Sequence, residues 1–468
     1  MKPLWKHQEE VIKITSQTDC HALFWSPGTG KSRATIEIIK DKWRSHSRTL
    51  RTLIITPAVV TFNWKKEFDL YTTIPQRDIL VLYGSGAHRL SQLENTPNYS
   101  VVICNYETLL MDKVFEVLKS WSPEIMIADE SHRIKNSRAQ RTRRAIALSA
   151  TAKFRYILSG TPILQNSLDI YPQFEFLDHG ATFGKNFFTF KNRYFRDANR
   201  ELRLRSKHVT WPKWVPIQSK EGELNEKIMR SASVVRKEDC LDLPPLLRVT
   251  HEVELSKPQA KAYKEMKDDF ITFINSKAFT AQLAITKALR LQQIVSGFLM
   301  DAEGRAHTFE DTPRDRALEE LLEDLTPNHK VIVWACWRSN HESIGKLLDK
   351  MGVKHRLLLG DMSGPERDKS IQDFRTDDEV RVLVGSQGAG GIGINLVEAS
   401  YCVYYSRNFS LEHDTQSEAR NYRGGSEIHD KITRIDITAR GTIDQEISKA
   451  LAAKQDLSDR LIMDAAIV

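Results

Sequence analysis

Cysteine is scarce in this sequence, and long apolar runs are missing. The five cysteines among 468 residues are scattered, and no pair of them has the spacing of a metal site. Separated thiols in odd number favour free cysteines in a reducing compartment over a disulfide framework. No apolar run approaches the ~20 residues that cross a bilayer. Because the stretch MKPLWKHQEE also lacks the apolar core of a signal peptide, we expect a cytoplasmic protein.

The chain also lacks low-complexity tracts, short internal repeats and an extreme charge. Hydrophobic residues make up 41% and charged residues 28%, which is the balance of an ordinary globular protein. The 68 basic and 61 acidic residues leave a net charge of +7, which permits a nucleic-acid partner without requiring one. A chain of this length exceeds what one hydrophobic core usually serves, so we expect two or three domains.

Short β-branched runs recur in two blocks, separated by helical patterns and loops. Continuous apolar runs of this kind are typical of strands buried on both faces of a parallel sheet. The first block contains TLIIT (52–56), ILVLY (79–83), VVICN (101–105), IMIAD (125–129) and RYILS (155–159), and the second contains VIVWA (331–335), HRLLL (355–359), VRVLVG (380–385), YCVYY (401–405) and ITRIDI (432–437).

These blocks predict an α/β protein of two lobes, each with a parallel sheet. Two prolines in LDLPPLL (241–247) interrupt regular structure between the lobes. We therefore expect an N-terminal lobe over residues 1–245, with a basic and aromatic protrusion at about 183–240. The C-terminal lobe would cover residues 246–468, with a helical protrusion at about 255–300.

The stretch LFWSPGTGKS (23–32) resembles a phosphate-binding loop between a strand and a helix. Such a loop turns backbone N–H groups and a helix N-terminus toward the anion. Lys31 would reach the β- and γ-phosphates and Ser32 would ligate Mg²⁺, with Gly28, Thr29 and Gly30 forming the cradle. The full pattern has Gly where this chain has Trp25. Trp25 would either pack the strand or border the nucleotide, and the alternative for the whole loop is a glycine turn beside a surface lysine.

A second acidic element follows the strand IMIAD. Asp129 and Glu130 stand where open α/β sheets bind ligands, at the carboxyl end of a strand. Neighbouring side chains there point different ways, so Asp129 can hold Mg²⁺ while Glu130 orients or deprotonates the attacking water. The alternative is an ordinary solvated strand end.

Taken in order, the motifs resemble helicase superfamily 2, and within it the SWI/SNF-type translocases of double-stranded DNA. The resembling segments are LWKHQ (4–8), the phosphate loop, LIITPAVVTFNWKKEF (53–68), VICNYETL (102–109), DESHRIKN (129–136), ILSGTPILQN (157–166), RKEDCLDLPPL (236–246), GSQGAGGIGINL (385–396), QSEARNYRGGS (416–426) and ITRIDITARGTID (432–444).

The resemblance implies two tandem RecA-like lobes that use ATP and Mg²⁺. Residues implied to contact the nucleotide include Gln8, as the adenine reader, and Gly391 and Gly393. Coupling of the ATP and DNA faces would fall to His132, Ser159, Gly160, Thr161 and Gln416. Contacts to the DNA backbone would come from Thr56, Asn63, Trp64, Asn105, Tyr106, Lys135, Asn136, Ser363, Arg367, Ser386, Gln387 and Asn395.

Two arginines would complete catalysis from the second lobe. Arg420 and Arg423 are three residues apart, on what we expect to be one helix face, and a guanidinium suits the developing phosphoryl charge. The motif usually has an acidic residue where this chain has Ala419, which leaves a local salt bridge in doubt. The alternative is a solvated helix face.

The resulting prediction is a DNA-dependent ATPase that translocates along double-stranded DNA of any sequence, as a monomer, and remodels protein–DNA complexes. Two rivals are a strand-separating helicase and a non-catalytic nucleic-acid scaffold. The lean size resembles bacterial or bacteriophage members. Residues 184–214 interleave basic and aromatic side chains. They would form a stacking platform for nucleic acid or a protrusion whose aromatics pack inward.

Overall fold

The computed structural model divides into two compact units, whose main boundary lies between residues 241 and 242. Residues 454–458 group with the first unit. The structure describes residues 3–94, 99–163, 167–200, 212, 214–240, 242–275, 281–301, 303–390 and 394–458.

The first unit alternates strands and helices. Its strands are β1 (Cys20–Trp25), β2 (Thr52–Thr56), β3 (Ile79–Val81), β4 (Val101–Asn105), β5 (Ile125–Asp129), β6 (Phe154–Leu158), β7 (Phe195–Asp197), β8 (Trp214–Pro216) and β9 (Ala232–Val235). Its helices are α1 (Lys6–Ser16), α2 (Lys31–Ser45), α3 (Thr61–Tyr71), α4 (Gly86–Gln92), α5 (Asp112–Trp121), α6 (Gln140–Ser149), α7 (Ile170–Asp178), α8 (Phe187–Tyr194), α9 (Gln218–Met229) and α10 (Lys237–Cys240).

Seven of these strands form one parallel sheet in the order β3-β4-β2-β5-β6-β1-β9. Every predicted run of the first block is a strand of this sheet, which confirms the expected α/β fold. The sheet also includes part of the segment predicted to contain a protrusion, at about 183–240. Its residues 232–235 are strand β9, which pairs with β1 at the sheet edge.

Alternation along the strands divides the core of this unit into two layers. Leu53, Ile55 and Cys104 pack on one face of the sheet, and Ile54 and Ile103 pack on the other. All five side chains are fully buried. Period-two alternation with apolar residues on both faces explains why these strands appear in the sequence as unbroken β-branched runs.

The segment that interleaves basic and aromatic residues packs mostly inward in its described part. Phe190, Tyr194 and Phe195 belong to the core of the first unit. Phe188 is 62% exposed. These positions favour the interpretation of a protrusion with inward-packing aromatics, while residues 201–211 and 213 lie outside the described part of the chain.

The second unit contains the other parallel sheet. Its strands are β10 (Leu246–Val253), β11 (Phe298–Met300), β12 (Ala306–Thr308), β13 (Lys330–Ala335), β14 (His355–Leu358), β15 (Val382–Ser386), β16 (Ala399–Tyr404) and β17 (Ile432–Ala439). The helices that begin in this unit are α11 (Lys257–Asn275), α12 (Ala281–Val295), α13 (Pro313–Leu325), α14 (Arg338–Lys350), α15 (Gly364–Thr376), α16 (Gln387–Gly390), α17 (Leu411–Glu418) and α18 (Ile443–Ser458). Six strands form the sheet in the order β10-β17-β16-β13-β15-β14, and all are parallel.

Two expectations from composition can be checked directly. All five cysteines are free thiols, as their scatter predicts. Among the described residues, no helix combines the length and the apolar character that crossing a membrane requires.

Close packing between β13 and β15 leads to a prediction about the stability of the protein. Trp334 is fully buried and pairs in register with Gly385, where an added Cβ would lie 2.6 Å from the indole ring. We expect Gly385→Ala to lower the free energy of unfolding by about 1–3 kcal/mol, because the ring has to shift. Chemical denaturation measures the effect. The matched control is Gly345→Ala within α14, where the nearest atom to an added Cβ is 3.8 Å away. There a helix-interior Ala is neutral or stabilises by up to about 1 kcal/mol, and an equal loss in both variants would contradict the packing explanation.

Candidate functional site

The phosphate loop lies between the end of β1 and the start of α2. Its glycines Gly28 and Gly30 have φ values of +91° and +78°, which L side chains rarely adopt. The Lys31 ammonium donates to the carbonyl oxygens of Trp25 at 2.7 Å and Ser26 at 3.2 Å. Thr29 Oγ1 also donates to the Ser26 carbonyl, at 2.8 Å. The loop therefore curls around its own lysine.

Helix α1 holds this loop from one side. Gln8 Nε2 donates to the Gly30 carbonyl at 3.1 Å, and Gln8 Oε1 accepts from the Trp5 backbone at 2.9 Å. His7 Nε2 lies 2.9 Å from the Thr29 carbonyl. An added Cβ at Gly30 would lie 2.4 Å from Gln8 Nε2 and would force that amide to move, and the φ of +78° is itself strained for any other residue. The sequence motif indicated Gln8 but not His7, although His7 is its immediate neighbour and contacts the same loop.

Trp25 is a packing residue. Its side chain is fully buried, and its indole N–H donates to Ser233 Oγ of β9 at 2.9 Å. The His7 ring meets the indole edge-on, with ring centroids 4.9 Å apart. Burial excludes the alternative that this side chain borders a nucleotide. Trp25 instead ties β1 to β9 and supports the residue that contacts Thr29.

Asp129, at the end of β5, is oriented by neighbouring donors. Its Oδ2 accepts from Thr56 Oγ1 at 3.0 Å and Trp64 Nε1 at 2.8 Å, and its Oδ1 accepts from the Glu130 N–H at 3.0 Å. The Tyr106 hydroxyl donates to the Asp129 carbonyl at 2.7 Å. Burial raises the pKa of Tyr106 well above its usual value, which keeps that hydroxyl protonated.

Several residues predicted to contact DNA are buried in this arrangement. Thr56, Trp64 and Tyr106 are buried beneath Asp129, so their side chains do not present a surface to a phosphate backbone. Asn105 is also buried, and its Oδ1 accepts from the Thr108 N–H at 2.9 Å and from Arg89 Nη1 at 3.0 Å. Polar residues at strand ends serve here as supports for the site.

Glu130 begins a short connection to the coupling residues. Its φ of +52° is left-handed, and a 3₁₀ turn (Ser131–Ile134) follows. His132 Nδ1 lies 3.5 Å from Glu130 Oε2 and 3.2 Å from Ser159 Oγ. Ser159 Oγ in turn accepts from the Thr161 N–H at 3.1 Å. The structure thus brings together four residues that the sequence argument placed in two separate motifs.

Two further contacts fix that connection to the rest of the first unit. An added Cβ at Gly160 would lie 2.8 Å from Pro27 Cδ, so the loop after β6 lies directly on the phosphate loop. Ser131 Oγ donates to Gln173 Oε1 at 2.7 Å, and Gln173 Nε2 donates to the Pro162 carbonyl at 2.8 Å. Nothing in the sequence pattern singled out Gln173.

The remaining predicted contacts of the first unit are more accessible. Asn63, on α3, and Lys135 are partly buried, and Asn136 is exposed. Asn136 Oδ1 accepts from the Arg138 N–H at 2.9 Å, which shapes the turn before α6.

In the second unit, the predicted DNA contacts differ in exposure. Ser363 is exposed and caps α15 through Glu366, and Arg367 lies one turn further along this helix. Ser386 and Asn395 are partly buried. Gln387 is buried, where it accepts from Cys336 Sγ at 3.1 Å, so its predicted DNA contact is not supported. Gly391 and Gly393 lie outside the described residues.

The two arginines do not share a helix face, because α17 ends at Glu418. The chain turns instead toward Gly425, whose φ of +105° cannot continue a helix. The guanidinium groups nevertheless converge on the Ile394 carbonyl, which accepts from Arg420 Nη1 at 3.0 Å and Arg423 Nη1 at 3.3 Å. Arg420 Nε also donates to the carbonyl of Gln416, which is buried.

A metal at this site would depend on few protein ligands. Across the part of the chain that the structure describes, no group of three or more His, Cys, Asp and Glu side chains could hold a metal ion. Mg²⁺ does not need such a group of side chains, because it retains waters and is typically held by one or two carboxylates with substrate phosphates. The fixed carboxylate of Asp129, together with a glycine cradle that admits no Cβ at residue 30, fits that requirement.

Comparison with known proteins gives two family matches. The SNF2-related domain matches residues 7–300, and the helicase conserved C-terminal domain matches residues 313–425. The chain is 25% identical over 446 residues to the chromodomain-helicase-DNA-binding protein 1-like of Danio rerio, covering 93% of this chain and 41% of that protein. It is 26% identical over 439 residues to the "Uncharacterized ATP-dependent helicase MG018" of Mycoplasma genitalium, covering 93% of this chain and 40% of that protein.

A solved structure is also similar. The SWI2/SNF2 ATPase core of Sulfolobus solfataricus in complex with dsDNA matches with a TM-score of 0.45 and 21% identity, covering 99% of this chain and 94% of that one. The chain spans 40–41% of the length of the first two curated relatives. Since the SNF2-related domain alone covers more than half of the sequence, the protein belongs to the SNF2-related family of helicase-type enzymes.

Proposed function

We propose that this protein is a DNA-dependent ATPase that couples ATP hydrolysis to translocation along double-stranded DNA. One observation carries the proposal. The phosphate loop after β1 and the carboxylates after β5 are separated by β6 alone, at the same edge of a parallel sheet. Leu158 of β6 pairs in register with Leu23 on one side and with Asp129 on the other.

The residues at that edge suit the binding of a nucleoside triphosphate with Mg²⁺. The N–H groups of the loop and the start of α2 favour phosphate, and the Lys31 ammonium supplies a cation beside them. Ser32 and Asp129 would hold Mg²⁺, which neutralises phosphate charge when bound. Gln8, whose amide contacts Gly30, is our candidate for reading the adenine.

Glu130 is the proposed residue that orients or deprotonates the attacking water. Asp129 and Glu130 have separate surroundings, because donors surround the Asp129 carboxylate while Glu130 lies beside His132. His132 Nδ1 lies 3.5 Å from Glu130, and hydrogen bonds then connect His132 to Ser159 and Ser159 to Thr161, so these residues offer a path of contacts from Glu130 to the loop after β6. We propose that this route couples the nucleotide to DNA binding.

Arg420 and Arg423 are proposed to stabilise the transition state from the second unit. Their convergence on one carbonyl supports a shared task, and such an arginine contributes roughly 10³–10⁵ in rate.

The proposed DNA partner rests on the family and on the accessible residues. The two curated relatives carry the words helicase and, in one case, DNA-binding in their names. Our candidates for phosphate contacts, which position DNA without reading its sequence, remain the exposed or partly buried Asn63, Lys135, Asn136, Ser363, Arg367, Ser386 and Asn395. We further propose that the protein acts in the cytosol, as a monomer, on DNA-bound proteins.

The first functional prediction separates chemistry from binding. Glu130→Gln keeps the shape of the side chain but removes the carboxylate, so we expect turnover to fall by about 10²–10⁴-fold while ATP still binds. Lys31→Ala should weaken both binding and turnover. Phosphate release with DNA present and binding of a fluorescent ATP analogue measure the two quantities. Glu116→Gln, at an exposed position of α5, is the matched control. Parental turnover by Glu130→Gln would refute its role.

The second functional prediction concerns the arginine pair. Arg420→Ala or Arg423→Ala should raise the barrier by about 4–7 kcal/mol, at about 1.4 kcal/mol per decade of rate. The apparent affinity for ATP should fall much less. Steady-state kinetics with saturating DNA measures both, and Arg440→Ala tests an exposed arginine of the same unit. If both variants hydrolyse ATP as fast as the parent, the two arginines do not act in catalysis.

The third functional prediction distinguishes a translocase from its rivals. Duplex DNA should stimulate hydrolysis more than single strands of equal length, whatever the sequence, and affinity should fall with salt by a log–log slope of about −0.9 per neutralised phosphate. We expect displacement of a third strand from a triplex but no opening of a plain fork. Efficient fork unwinding would favour the helicase, and no DNA stimulation of hydrolysis at all would favour the scaffold.

A further inference from the structure

A buried ionic cluster includes the helix, α17, that ends just before Arg420 and Arg423 in the second unit. Its centre is Arg434 of β17, whose side chain is 4% exposed. The Arg434 guanidinium donates to Asp414 Oδ1 at 2.8 Å and Oδ2 at 3.0 Å, to Glu418 Oε2 at 3.0 Å and to Asp436 Oδ1 at 3.1 Å. Asp414 and Glu418 are both on α17. One guanidinium therefore clamps two turns of that helix to the sheet.

The same clamp is reinforced by packing. The Arg434 guanidinium lies 3.9 Å from the centre of the Tyr404 ring on β16, a stacking that arginine favours. The Tyr404 hydroxyl is 2.9 Å from Ser417 Oγ, also on α17. Arg434 thus contacts its carboxylates through its edge and an aromatic ring through its face, which leaves it little freedom to move.

The charges within the cluster balance. Arg407 lies 3.4 Å from Asp436 and 3.8 Å from Asp414, and Arg248 forms hydrogen bonds to both carboxylate oxygens of Glu418 at 2.9–3.1 Å. Three arginines therefore face three carboxylates. Because Asp414 and Glu418 are one helical turn apart and largely buried, they would repel each other without the central guanidinium.

The cluster has a direct covalent connection to the arginine pair. Glu418 is the last residue of α17, Ala419 follows, and Arg420 comes next. Ala419 is buried and stands where the family motif usually has an acidic residue. The adjacent carboxylate, that of Glu418, instead accepts a hydrogen bond from Arg434. The end of α17, and with it the direction in which the chain continues to Arg420 and Arg423, depends on that grip.

We propose that Arg434 is the positioning residue for Arg420 and Arg423. It would act through the end of α17, which its contacts to Asp414 and Glu418 hold. It fixes the helix end from which both arginines are presented, and the planar fork is required because one group has to satisfy Asp414, Glu418 and Asp436 together. The catalytic consequence rests on the proposed function, since a shift of about 1 Å in a catalytic group can cost about 10²-fold in rate.

The test is Arg434→Lys, which keeps the charge and removes the fork. We expect kcat for DNA-stimulated hydrolysis to fall by about 10–100-fold, with the KM for ATP and the affinity for ADP little changed. Hydrogen exchange, which does not depend on activity, should accelerate for the amides of residues 419–426. Glu418→Gln, which weakens the same clamp from the other side, should shift both readouts in the same direction and serves if the lysine variant does not fold.

The matched control is Arg314→Lys in the same unit. Arg314 is 2% exposed, donates to the Ile437 and Tyr405 carbonyls and pairs with Asp444, so it is an equally buried arginine beside a different tyrosine. This control should leave kcat and the exchange of residues 419–426 near the parental values. Parental kcat and exchange in folded Arg434→Lys would overturn the inference, as would equal losses in Arg314→Lys. Absence of ATP hydrolysis in the parent would instead refute the proposed function, and the exchange measurement would still decide the positioning role.

Discussion

The parallel direction of every strand in the first sheet is the constraint on which the candidate site depends. Parallel strands end at one edge, so chemistry carried by β1, β5 and β6 meets there although it is spread over more than a hundred residues. The loops that follow β1 and β6 pack closely, because an added Cβ at Gly160 would lie 2.8 Å from Pro27 of the phosphate loop. The same constraint buries both faces of the strands, which is why they are so apolar.

The polar residues around that edge act mainly on one another. Thr56 and Trp64 orient the Asp129 carboxylate, and Gln8 holds the Gly30 carbonyl. Buried polar groups need partners, so satisfying them also fixes the geometry of the site. In the second unit the equivalent task falls to an ionic cluster around Arg434, whose fork holds the helix end next to Arg420. Each unit thus uses buried polar contacts to aim the side chains that are proposed to act.

Much of the fold, and the meeting of the candidate site's segments at one sheet edge, could be predicted from sequence, because both depend on local patterns. Unbroken β-branched runs specify buried parallel strands, and a glycine loop with Lys31 specifies a phosphate cradle. Burial at strand ends could not be predicted, since the sequence does not say that Trp64 on α3 reaches back to Asp129. The prediction that Arg420 and Arg423 share one helix face was also wrong. Their spacing gives no information about the end of α17 at Glu418 or about the turn that Gly425 permits. Strand β9 was hidden in a segment dominated by basic and aromatic residues.

We propose that the loop after β1 and the carboxylate of Asp129 form one site for ATP and Mg²⁺. A crystal structure with Mg²⁺ and a non-hydrolysable ATP analogue tests it most directly. We expect the triphosphate to lie along the backbone of residues 28–32, with the Lys31 ammonium moved from the Trp25 and Ser26 carbonyls to phosphate oxygens and Mg²⁺ held by Ser32 and Asp129. An analogue bound elsewhere, or a Lys31 that stays on those carbonyls while the analogue is bound, would contradict it.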